Sequence, residues 1–222
     1  MQRINNDYVV VPMTFPTVDQ TSTISSDIIS LKNYRHADIV IQVGPIGKAA
    51  AVTLDKSSAV AAASEDCSFS KYLSTGFVLE YDGASNDVVE SAGAAFTGAG
   101  GGAGVVYKDL GNKLIAYGYN GTTFVDNETI TFTSSGRTAV ANGIQKNEDI
   151  MVPRTASSDT FDLAAVANKQ YVIPIDAADL GDGYDCVQVE IADCDTATHV
   201  AIFAILSEPR YAGEIPETVF YD

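Results

Sequence analysis

Two stretches decide the fold: Asp38-Ile39-Val40-Ile41-Gln42-Val43, and His199-Val200-Ala201-Ile202-Phe203-Ala204-Ile205-Leu206. In the first, Ile39, Ile41 and Val43 alternate with Asp38, Val40 and Gln42. This period of two puts one apolar set on one face of a β-strand. The second is apolar on both faces and is expected to be a central strand of the core. Outward from these, the same period recurs at Ala50, Val52 and Leu54, at Phe77, Leu79 and Tyr81, at Ile130 and Phe132, at Tyr171, Ile173 and Ile175, and at Val187, Val189 and Ile191. Turn-forming pairs separate the runs: Gly44-Pro45, Asp82-Gly83, Asn120-Gly121, Ser135-Gly136 and Asp182-Gly183. Pro174 lacks a ladder donor and is expected to push its strand to an edge or a bulge. The best helix candidate, Ser58 to Glu65, carries an alanine run that suits a strand or loop equally well. Eight or more strands predict an all-β protein, an antiparallel sandwich or jelly roll.

The 222 residues suffice for one sizeable β domain carrying an inserted subdomain. The 11 Tyr and 9 Phe, without Trp, suit a core of sheets. Lys plus Arg number 13 against 29 Asp plus Glu, a formal charge of −16. A phosphate-binding surface needs the opposite field, so nucleic acid is not an expected partner. Solubility alone accounts for such a charge; the sharper reading is an acidic face that meets a basic patch on another protein. After Met1 the residues are polar, and no run nears the roughly 20 apolar residues of a membrane span, so neither signal peptide nor membrane partner is expected. Cys186 and Cys194 flank one strand, about 26 Å apart at roughly 3.3 Å per residue. A disulfide needs Cα atoms within about 7 Å. With Cys67 they read as reduced thiols of a chain made in a cytoplasm.

Residues 1–27, with Pro12, Pro16 and many Ser and Thr, read as an extended arm. The core is expected at 28–206, with a small inserted β unit at about 105–142, and a C-terminal arm at 207–222. Residues 92–104, rich in Gly and Ala, read as a flexible surface loop, and 143–160 as a polar connector.

Chemistry is sought and not expected. Gly44-Pro45-Ile46-Gly47-Lys48 has two residues between its glycines where a phosphate loop needs four, and Ala49 stands where Ser or Thr is required. A hairpin turn is the expected reading. The glycines of 98–104 lead into a strand rather than the helix of a dinucleotide site. Asp176, Asp179, Asp182, Asp185, Asp193 and Asp195 lack the alternate spacing of a calcium loop, although Glu190 follows Asp179 by eleven residues. His36 stands beside the first strand, and His199 reads as a satisfied structural residue. Neither accompanies a nucleophile motif. No catalytic residue, cofactor or metal is therefore expected.

Ile29-Ser30-Leu31-Lys32-Asn33-Tyr34 through Gly44, followed by Ala50-Ala51-Val52-Thr53-Leu54, resembles the opening of a group of small tailed-phage virion proteins. The closing segments Tyr171-Val172-Ile173-Pro174-Ile175, Tyr184-Asp185-Cys186-Val187-Gln188-Val189 and Ala204-Ile205-Leu206, with Arg210-Tyr211, look similar too. Gly121-Thr122-Thr123-Phe124, Asn127-Glu128-Thr129-Ile130 and Ser134-Ser135-Gly136-Arg137-Thr138-Ala139 resemble a β motif scattered through phage structural proteins, with Asn127 in place of the usual glycine. The resemblance implies a capsid decoration or cement protein on the virion surface. Its implied partners are the major capsid protein and further copies of itself, as a homo-oligomer. Contact residues are expected in the arms: Tyr8, Val9, Val10, Val11, Arg210 and Tyr211. The alternative is a tail- or fibre-associated module that binds a host glycan, with Tyr117 and Tyr119 as its aromatics.

Overall fold

The computed structural model describes residues 8–17, 22–61, 63, 65–146, 150–195, 198–210 and 220–221. Every helical or extended element among them is a strand, and every pairing with a resolved register is antiparallel. The chain forms two units, one from Met1–Leu73 with Arg154–Asp222 and one from Ser74–Pro153.

The first unit is an antiparallel sandwich. One sheet runs β1 (Tyr8–Thr17), β18 (Val200–Pro209), β4 (Tyr34–Val43), β16 (Lys169–Asp176), β7 (Lys71–Thr75), β14 (Met151–Thr155). The last two strands carry the chain out of this unit and back. The other sheet runs β15 (Phe161–Leu163), β5 (Ala50–Ser57), β17 (Cys186–Ile191), β3 (Ile28–Ser30), β19 (Phe220–Tyr221), with β2 (Ile24–Ser25) on β17 and β6 (Glu65–Asp66) on β5. The alternating sets meet between the sheets: Ile39, Ile41, Ile173, Ile175, Ile202 and Leu206 share one buried cluster with Val52, Leu54, Val189 and Ile191. Each fully buried aliphatic side chain there contributes about 1.5–3 kcal/mol.

The second unit is a closed six-stranded barrel, in the order β10 (Ala103–Asp109), β11 (Lys113–Tyr117), β8 (Phe77–Asp82), β13 (Thr138–Ala141), β12 (Thr129–Phe132), β9 (Ala95–Gly98). Its core is aromatic: Phe96 lies 5.4 Å from Phe124, 5.8 Å from Phe132 and 6.2 Å from Phe77 between ring centroids. Closure removes the sheet edges that a small unit would otherwise expose.

Several expectations need correction. Residues 8–17 are not a free arm but the edge strand β1, because its register on β18 drives Val11 and Met13 into the sandwich core at 2% and 0% exposure. Pro12 and Pro16 are tolerated there because an edge strand leaves one side of its ladder open. The inserted unit is Ser74–Pro153 rather than 105–142, since β8 and β9 close the barrel. Residues 92–104 are no loose loop: Ala95–Gly98 and Ala103 onward are strands. The supposed connector after 143 contains β14. The C-terminal boundary at 206 falls inside β18, and Phe220–Tyr221 pairs with β3.

The apolar stretch 199–206 lies second from the sheet edge, not at the centre. Pro174 interrupts nothing: the ladder between β16 and β4 runs unbroken from Lys169↔Val43 to Asp176↔His36. It sits beside a depression shared with Ser70 and Lys71, where the shorter strand β7 begins. The Gly44–Lys48 turn joins strands of different sheets, so it is not a hairpin. Ser58 to Glu65, where described, holds turns and no helix.

The glycines explain the misread stretch. A Cβ on Gly104 would stand 2.7 Å from Phe77 Cζ and 2.8 Å from Phe96 Cζ, inside van der Waals contact. Gly104→Ala is therefore expected to destabilise the protein by about 1–3 kcal/mol, the usual cost of overpacking a closed core. Chemical denaturation monitored at the tyrosines measures it, and a neutral substitution would mean that the ring pair can retreat.

Candidate docking surface

Strand register decides what the six-stranded sheet shows to solvent. With Ile39, Ile41 and Ile173 turned inward, the opposite face takes the residues between them. The pairs Pro12↔Phe203, Phe203↔Val40 and Val40↔Val172 line up one row across β1, β18, β4 and β16. The next row is Val10, Ile205, Asp38 and Pro174, and the one beyond is Tyr8, Ser207, His36 and Asp176. An antiparallel sheet with one wet face normally alternates apolar inside with polar outside. Here two adjacent outward rows are almost wholly apolar. Phe203, Ile205, Val172 and Pro174 are half-buried, and Val40 is 4% exposed between its row neighbours. At the sheet edge Tyr8, Val10 and Phe15 are 42%, 54% and 70% exposed. A contiguous apolar patch of this kind marks an interaction surface more often than chance exposure does.

The expected contact residues divide accordingly. Tyr8 and Val10 belong to this face, whereas Val9 packs against the core and Val11 lies within it. Arg210 follows the end of β18, three residues past Ser207, the partner of Tyr8. That is about 10 Å along the strand at roughly 3.3 Å per residue. Tyr211 lies outside the described residues. Sequence reasoning missed Pro12, Val172, Phe203 and Ile205 as surface. The signal was present in the two-faced apolarity of β18, which fits either a doubly covered strand or one with an apolar wet face.

One charged group borders the patch. His36 Nδ1 lies 2.7 Å from Asp176 Oδ1, and its Nε2 lies 3.3 Å from Asp38 Oδ1. Burial alone would lower the imidazole pKa, but the two carboxylates outweigh it and the net shift is upward. A raised folded-state value gives stability that is complete below the unfolded pKa of about 6.5 and lost as pH rises through the folded value. Asp38 and Asp176 side chains are 41% and 64% exposed, so solvent screening keeps the effect below about 1 kcal/mol. The unfolding free energy is expected to fall by up to that amount as pH rises from below about 6.5 through the raised folded-state value. His36→Gln should flatten this decline, and an unchanged slope in the variant would exclude His36 as its origin.

The remaining sequence candidates have structural employment. Lys48 Nζ pairs with Asp193 at 2.9 Å, and Asp179 Oδ2 accepts from the Asp176 backbone. Among the described residues, no group of three or more His, Cys, Asp or Glu is placed to hold a metal ion. The three cysteines are free and buried, and burial pushes Cys67 to about 11 and Cys186 to about 12. His199 is less satisfied than expected, since its Nδ1 is buried without a hydrogen-bond partner among the described residues. Tyr119 is no open aromatic platform: its ring packs against Phe77 at 5.8 Å, and its hydroxyl bonds Gly121 and Thr123.

The barrel holds the one ion-paired cluster among the described residues whose partners are all buried. Arg137 donates to Asp109 at 3.1 Å and to the Tyr81 hydroxyl at 2.9 Å. Tyr81 donates to Asp109 at 2.6 Å, and Glu90 Oε1 accepts from Ser135. Side-chain exposures of 2%, 0% and 4% for Arg137, Asp109 and Glu90 enclose the network. Burial would raise the Asp109 pKa, yet the donors from Tyr81, Glu90, Gly111 and Arg137 bring it below the usual carboxylate range. Perturbed acids often mark active sites. The Asp109 carboxylate has no solvent-exposed surface, and its bonds to Arg137 and Tyr81 are those of a buried ion pair.

Residues 121–139 belong to this second unit. Phe124, Ile130 and Ala139 are core. Glu128 caps the backbone N–H groups of Gly100 and Val125, and Arg137 holds Asp109. Asn127 has φ +63°, a left-handed conformation that glycine adopts without strain and asparagine tolerates.

No protein-family model, curated protein or solved structure matches the chain.

Proposed function

We propose that this chain is a non-catalytic structural protein of a tailed-phage particle. It docks on the outer capsid through the apolar face of its six-stranded sheet and stabilises the shell by bridging capsid subunits. The observation that carries the reading is the pair of apolar rows across β1, β18, β4 and β16, a face that a solitary sandwich would be expected to make polar. The resemblance of residues 29–54 and of the barrel motif to phage virion proteins supplies the particle.

Docking works by linkage. A protein that binds the assembled shell and not its separated subunits adds its binding free energy to the shell. Many copies on a lattice, or an oligomer engaging several subunits, gain further through effective concentration. The formal charge of −16 keeps free copies from aggregating through their apolar faces and favours a capsid surface with basic groups around the docking point.

Immunogold labelling of particles released by the phage or prophage that encodes the chain tests the assignment. Gold over the head is the expected result. Gold confined to the tail or fibres would replace the capsid with the tail, and particles without label would sink the virion reading altogether.

A further inference from the structure

We propose that Arg35 and Arg210 form a recognition pocket for a carboxylate of a partner protein, an acidic side chain or a chain terminus. The two arginines line a depression of about 600 Å³ with Asp176, Ala177, Ala178 and Glu208. The inference does not depend on a capsid being the partner, nor on the apolar rows.

The first argument is charge economy. The chain has 29 acidic residues and only 13 basic ones, so nearby carboxylates are plentiful. Lys48, Arg137 and Lys146 each have a carboxylate within 4 Å. Among the described residues, neither Arg35 nor Arg210 does, although two acids line the same depression. Asp176 is engaged instead by His36 at 2.7 Å. Two cations gathered in one cavity, with no carboxylate within 4 Å among the described residues, are available to an external one.

The second argument is pre-organisation. The backbone N–H of Arg210 donates to the Asn33 carbonyl at 2.9 Å, and its Nε donates to the Tyr34 carbonyl at 3.2 Å. The Arg35 carbonyl in turn accepts from Ala177 at 2.7 Å. These three bonds tie the end of β18, the start of β4 and the segment after β16 into one frame. Both arginines therefore stand on fixed backbone, and anchoring Arg210 through Nε leaves its two terminal nitrogens as donors. Ala177 and Ala178 carry only methyl groups, which keeps the cavity open between them.

The third argument selects the ligand. Guanidinium groups match the planar two-oxygen geometry of a carboxylate with paired, charge-assisted hydrogen bonds. A phosphate dianion would gain the same donors but would also meet the carboxylates of Asp176 and Glu208 and a chain of −16. A single negative charge fits the local balance better.

The test uses the full chain labelled with 15N-arginine, titrated with acetate, inorganic phosphate or chloride at matched ionic strength and pH. Saturable shifts of the Arg35 and Arg210 Nε–Hε resonances with acetate are expected, while Arg137 stays still. Arg35→Gln should weaken acetate binding about tenfold, the loss of one charge-assisted hydrogen-bonding group, with the melting temperature unchanged because that side chain has no ion-pair partner among the described residues. Arg210→Gln is the second variant, read together with its melting temperature because its Nε also braces Tyr34. Acetate shifts no larger than those of chloride would overturn the pocket. Full acetate affinity in a folded Arg35→Gln protein would overturn the role of Arg35. Phosphate binding tenfold tighter than acetate would overturn the carboxylate assignment.

Discussion

Arg137→Ala is expected to cost about 3–5 kcal/mol, the characteristic loss when one member of a buried ion pair is removed and its partner stays. Asp109 is fully buried and is held charged by four donors, of which Arg137 supplies the only positive charge. Glu90, 4.0 Å from the same guanidinium, would be left beside it. Truncation thus strands two acids in a closed barrel, and it strips the guanidinium from the rings of Tyr81 and Phe132, each 5.1 Å away. Arg137→Met keeps the stem and isolates the charge effect. Pairing it with Asp109→Asn should recover at least about 1 kcal/mol of the loss, the sign of direct coupling in a double-mutant cycle. Urea denaturation measures all of these. A cost below about 1 kcal/mol for Arg137→Ala would show that solvent reaches the network.

That network was legible only in part. The run Ser135-Gly136-Arg137-Thr138-Ala139 stood out as a motif, and Phe124 and Ile130 stood out as apolar. That an arginine in it would be buried could not be read, because its partner Asp109 is 28 residues away and meets it only when the barrel closes. Barrel closure itself depends on β8 pairing with β13 and β9 pairing with β12, contacts that no local pattern encodes. The glycines misled for the same reason. Gly98 and Gly104 look like loop residues until the side chains of Glu128, Phe77 and Phe96 occupy the space where a Cβ would stand.

The sandwich strands were legible wherever period two was clean. Ile39, Ile41 and Val43 face the core as their alternation predicts, and so do Val187, Val189 and Ile191. Strand β1 was not legible, because Pro12 and Pro16 argue against a strand and its partner β18 lies roughly 190 residues along the chain. The register of Val10 on Ile205 and of Val11 on Ala204 turns one valine out and its neighbour in.

This register gives the sharpest test of the docking surface. Val10→Asp combined with Phe203→Asp should leave the melting temperature within a few degrees of the parent and abolish co-sedimentation with capsids. Val10 is 54% exposed and Phe203 is half-buried on the outward face, so the new carboxylates remain hydrated in the free protein. On a docked face they would have to be desolvated without partners, at a cost of several kcal/mol each. Two such residues suffice to weaken binding by more than about a thousandfold, since every 1.4 kcal/mol is a factor of ten. Val11→Asp is the opposite control. Its site is 2% exposed in the core cluster, so the same chemical change one residue along should unfold the sandwich rather than merely release it. If the outward double variant co-sediments like the parent, the apolar rows are not the docking face. If it melts as early as Val11→Asp, those rows are buried within the protein's own fold, and the partner must be sought elsewhere on it.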